Sequence, residues 1–96
     1  MTSWTYLTRD QVITARPCLV LSVTITTQAD GPGEIVLYDE RSAVAGQELA
    51  HLLCPSGQTV QFRWYGLRTQ RGLYVDIVAL ADYVTVEWEP LAEEAE

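Results

Sequence analysis

In the stretch RGLYVDIVALADYVTVEWEP, residues 71–90, every second side chain is apolar twice over: Leu73, Val75 and Ile77, then Val84, Val86 and Trp88. A period of two marks a strand with one buried face, because successive side chains of a pleated ribbon point to opposite sides. The intervening ALAD predicts a hairpin turn, both rows can face one core, and Pro90 ends the last strand because it has no N–H for the ladder. The same period recurs upstream. In CLVLSVTITTQ, Leu19, Leu21, Val23 and Ile25 oppose Ser22, Thr24 and Thr26; in EIVLYD, Ile35 and Leu37 point inward; in TVQFRWY, Val60, Phe62 and Trp64 oppose Gln61, Arg63 and Tyr65. ADGPG at 29–33 must turn, and Asp39 with Ser42 supplies the polar residues of the next turn.

Two segments are ambiguous by period alone. AVAGQELAHLLCPSG fits a short helix through Ala45, Leu49, Leu52 and Leu53, or a strand with Leu49, His51 and Leu53 on one face. Gly46 weakens the helix, and Pro55 with Gly57 closes a run of strand length, which favours the strand. Residues 1–16, rich in β-branched and aromatic side chains, read as an edge strand or as an arm reaching onto a neighbour.

About six or seven short strands separated by turn signals, with no clear helix, predict an all-β antiparallel two-sheet sandwich of jelly-roll or immunoglobulin-like topology. A small barrel such as an OB-fold is the alternative. With 96 residues there is room for one domain, residues 1–90, followed by a flexible acidic tail at 91–96.

Charge narrows the partners. The chain has 13 acids, no lysine and six arginines, for a net charge of -7. Five of those acids are glutamates in EWEPLAEEAE, residues 87–96, so residues 1–86 carry eight acids against six arginines and are nearly neutral. A phosphate backbone is bound by clustered cations, so nucleic acid is not an expected partner. Neither is a membrane, since no apolar run approaches the roughly 18 residues of a span. The first residues lack the basic start and apolar stretch of a secretory signal, which predicts synthesis and retention in a cytoplasm. Cys18 and Cys54, far apart and without a CxxC pair, read as buried reduced thiols.

Reactive groupings are scarce. The single histidine, His51, has no GxSxG serine to serve, and reads as a residue packed or hydrogen-bonded on a sheet face. Glu87 and Glu89 stand about 6.6 Å apart along one strand face, within the range of paired glycosidase carboxylates, but nothing near them would separate their pKa values. No glycine loop suits a phosphate, and no spacing suits a metal. The chain therefore reads as a binding protein without cofactor or metal. Arg63, Arg68 and Arg71, interleaved with Trp64, Tyr65 and Tyr74, read as an outward row pairing with acids of this chain or of another subunit. The expected protein contacts are these three arginines together with Trp4 and Tyr6. Exposed Tyr65 and Tyr74 would alternatively make a sugar-stacking platform.

Taken in order and spacing, RPCLVLSVTI, EIVLYDERSAVAGQEL and RGLYVDIVALADYVTVEWEP resemble the small β-sandwich virion proteins of tailed bacteriophages and prophages, from about Arg16 to Pro90. In that group a strand ends in a Tyr-Asp turn, here Tyr38 and Asp39, and a Gly-Leu-Tyr-Val strand, here Gly72 to Val75, pairs with a Val-Thr-Val strand, here Val84 to Val86. The sequence departs at DERS, where a glycine would follow the aspartate, and in its acidic tail. The resemblance implies a virion structural protein, made in the host cytoplasm, most naturally a capsid decoration or cement protein that binds the major capsid protein lattice or other virion proteins. A homotrimer at local threefold positions would suit such a lattice. Alternatives are a tail, connector or baseplate component, and a carbohydrate-binding module.

Overall fold

The computed structural model describes residues 2–28, 30–79 and 81–91. Among the described residues eight strands run in order: β1 (Ser3–Leu7), β2 (Gln11–Thr14), β3 (Cys18–Thr27), β4 (Gly33–Tyr38), β5 (Glu48–Cys54), β6 (Thr59–Arg68), β7 (Leu73–Ala79) and β8 (Ala81–Pro90). No helix occurs among the described residues. The strands form two antiparallel four-stranded sheets, β1-β8-β3-β6 and β2-β7-β4-β5. This interleaving of two Greek keys is the jelly-roll arrangement, so of the two expected topologies it is the jelly roll that forms. The acidic tail predicted at 91–96 lies outside the described residues, apart from Leu91.

The core fills the space between the sheets. Val20, Val23, Ile25, Val84 and Val86 from one sheet meet Ile35, Leu37, Leu73 and Val75 from the other, all fully buried, and Phe62, Trp64, Ile77 and Trp88 pack around them. Cys18 and Cys54 are buried free thiols. The 48–54 segment is a strand; Leu52 and Cys54 face the core, and His51 and Leu53 face solvent.

Two sequence expectations are corrected. The rows at 73–77 and 84–88 both face the core, but from opposite sheets: β7 pairs with β2 and β4, and β8 with β1 and β3, so β7 and β8 do not pair as a hairpin. Alternation reports which side of a strand is buried, and two strands facing each other across a core satisfy it as well as two lying side by side. In β3, the register shifts between Val20 and Ser22, so Cys18 and Val20 point inward in place of Leu19 and Leu21, while Val23 and Ile25 stay inside. A bulge of this kind exchanges the two faces of the strand beyond it. Of the two readings of the N-terminal segment, the edge strand is the one that forms: β1 is the edge of one sheet beside β8, and β2 the edge of the other beside β7.

Candidate functional site: an aromatic sheet face and an arginine cleft

The pleat of the first sheet lays out its solvent face in rows across four strands. One row is Trp4, Glu87, Ser22 and Arg63; the next is Tyr6, Thr85, Thr24 and Gln61; a third sets Tyr83, Thr26 and Thr59 side by side. Trp4 and Tyr6 are each 60% exposed and Tyr83 is 45% exposed. The rings of Tyr6 and Tyr83 stack at 5.8 Å. Three aromatic rings thus occupy neighbouring positions on β1 and β8, at a margin where, among the described residues, the outer ladder groups of β1 have no strand beside them.

Within the first row, Ser22 is buried beneath its neighbours and donates to Glu87 Oε1 at 2.9 Å, and Arg63 reaches the same oxygen at 3.4 Å. Arg63 therefore finds its acid within the chain. So does Arg71, whose Nη1 lies 3.0 Å from Glu40 Oε2. Arg68 forms no ion pair among the described residues. The expected arginine row is divided: Arg63 belongs to the sheet face, whereas Arg68 and Arg71 line a cleft of about 310 Å³ with Asp39, Gln47, Leu49 and Gln70. Trp4 and Tyr6 stand at the opposite margin of the sandwich, since β1 and β6 are the two outer strands of their sheet.

Asp39 builds one wall of the cleft. Its carboxylate is nearly buried and accepts N–H groups from Gln70 at 2.9 Å, Arg71 at 2.8 Å and Gly72 at 3.3 Å. Far from serving only its own turn, it fixes the crossing from β6 to β7. Glu40, standing where the resemblance calls for glycine, accepts from the backbone of Gln47 at 2.9 Å as well as from Arg71, and so closes the loop between β4 and β5.

The face of the second sheet offers a different grouping. Tyr74 is only 7% exposed, stacked on Tyr38 at 5.9 Å with its hydroxyl toward Asp10, so the expected sugar platform loses it; Tyr65 stays fully exposed. Asp10 is anchored by the Ile77 N–H at 2.8 Å. Burial, with the neighbouring Asp10 carboxylate, raises the Asp76 carboxyl above its usual range, and burial with both acids raises the Tyr74 phenol. His51 bonds Glu34 on this exposed face, in keeping with the packed, hydrogen-bonded role expected of it. Among the described residues, no three His, Cys, Asp or Glu side chains are grouped to hold a metal.

Sequence reasoning passed over Tyr83 and Gln47. Tyr83 lies beside the supposed hairpin turn, and Gln47 in a loop whose partner is distant in sequence. Neither a scan against protein-family models nor a comparison with curated proteins finds a match.

Proposed function

We propose that this chain is a non-catalytic structural protein of a tailed-phage particle, a capsid decoration or cement protein that docks on the major capsid protein lattice. The observation that carries the reading is the exposed Trp4, Tyr6 and Tyr83 strip on the outer face of β1 and β8. Aromatic rings are enriched at the centres of protein interfaces because they bury a large area at a small entropic cost. The resemblance between residues 16 and 90 and small phage sandwiches supplies the particle. A jelly roll suits a bridging role, being a stiff two-layer body that presents a broad sheet face and two outer strands.

The test is mass spectrometry of virions purified from the source culture, followed by rebinding of the purified chain to stripped, expanded capsids. The chain should be present in a copy number comparable to that of the major capsid protein. A W4A/Y6A double variant should lose occupancy on the capsids while keeping the wild-type urea midpoint. A few copies per particle would instead assign the chain to a tail, connector or baseplate, and its absence from virions would end the particle reading. The same rings beside Thr24, Thr85 and Gln61 would suit a glycan-binding face, which predicts glycan-array signals lost in the same double variant.

A further inference from the structure

The cleft at the far margin has a chemistry of its own. Asp39 already accepts three backbone N–H groups through its two oxygens, and Glu40 accepts from Gln47 N and Arg71 Nη1 through Oε2. Arg71 is thereby paired with Glu40, and the charges of Arg68 and Arg71 balance those of Asp39 and Glu40. Arg68 makes no ion pair among the described residues. Gln47 and Gln70 are engaged there through their backbone N–H groups, and no side-chain amide bond is formed by either among the described residues.

We propose that this cleft is a carboxylate site that takes an acidic side chain of the partner protein. A planar guanidinium matches a carboxylate with two parallel N–H donors, and side-chain amides can complete its shell. Arg68, with no acid on it among the described residues, offers one free guanidinium fork, which suits a single carboxylate. The proposal rests on the reading of the chain as a bridging particle protein. The cleft at the β5 and β6 side and the aromatic strip at the β1 side lie at opposite margins, so the two can engage different neighbours.

The test needs only the full-length chain. Isotope-labelled protein is titrated with the blocked tripeptide Ala-Glu-Ala, its Ala-Gln-Ala counterpart and inorganic phosphate, while the arginine side-chain Nε–H signals are followed by NMR. The glutamate peptide should shift Arg68 and Arg71 saturably, and the glutamine peptide should not. R68Q should weaken binding about tenfold or more, with R68K intermediate, because the charge remains but the two-pronged contact is lost. No saturable shift at Arg68, equal shifts from the glutamine peptide, or tighter binding of phosphate would each overturn the proposal. So would concentration-dependent self-association that shifts the same signals, which would make a second copy the occupant. Peptide binding by a chain that virions lack would retain the cleft and remove the particle; a chain present in virions but blind to the peptide would do the reverse.

Discussion

Asp39 holds Arg71 by its backbone, Oδ1 accepting the Arg71 N–H at 2.8 Å across 32 positions of sequence. Gln70 and Gly72 complete the bracket, so one carboxylate fixes the place where the chain leaves the first sheet for the second. An Asn at this position keeps one acceptor oxygen and turns an NH2 group toward N–H donors. D39N should lower stability by about 2 to 4 kcal/mol, measured by urea denaturation, since each charged hydrogen bond contributes about 1.5 to 3 and a buried donor left unpaired costs about as much. A loss under about 1 kcal/mol would show that the bracket is dispensable.

Gly72 is required for a different reason. A Cβ there would lie 2.6 Å from the Thr14 carbonyl oxygen and 2.9 Å from that of Glu40, both of them backbone atoms that cannot swing aside. G72A should cost about 1 to 3 kcal/mol by overpacking. A wild-type melting temperature would contradict the close approach.

On the second sheet, a carboxyl whose folded pKa is raised binds more protons in the native state than in the unfolded one, so its contribution to stability falls as pH rises through that pKa. Asp76 is such a group. D76N removes the ionisation and can still donate to Asp10, so it should be more stable than wild type at pH 7. The advantage should fade as pH falls through the raised pKa toward the ordinary value of about 3.9. Urea midpoints of the two proteins across this range check the sign, and an advantage that grows on acidification would refute it.

Cys18 and Cys54 are both fully buried, and burial raises the Cys18 thiol above its ordinary value. Reaction needs the exposed thiolate. Both should resist a thiol reagent in buffer and react together once urea unfolds the chain. Rapid native labelling of either would place it at a surface.

How much of this was legible in the sequence depends on what alternation encodes. It identified the buried faces at Ile35, Leu37, Leu73, Val75, Val84 and Val86, because these core positions keep the period of two within β4, β7 and β8. It misassigned Leu19 and Leu21, since the bulge before Ser22 leaves no compositional mark. It could not distinguish a hairpin from a crossing between layers, which is why the partners of β7 and β8 were missed. Tyr74 does point away from the core as its parity requires, yet Tyr38 and Asp10 cover it, and that cover comes from strands and loops far away in the chain. The exposure of Trp4 and Tyr6 was legible because an edge strand leaves bulky rings without a neighbouring strand to cover them. The cleft was only half legible: Arg68 and Arg71 stood out, but the recess they line exists because residues 39–47 fold back over residues 68–71.

The position of β8 between β1 and β3 has a consequence for how the molecule comes into being. Ser3 has Trp88 as its ladder partner, so β1 waits, unpaired, until residue 88 has been made. Pairings this remote in sequence form slowly. A nascent chain stalled before residue 81 would have all four strands of the β2-β7-β4-β5 layer facing β3 and β6 alone, and part of its oily side would be in water until the ribosome delivered the ten-residue β8.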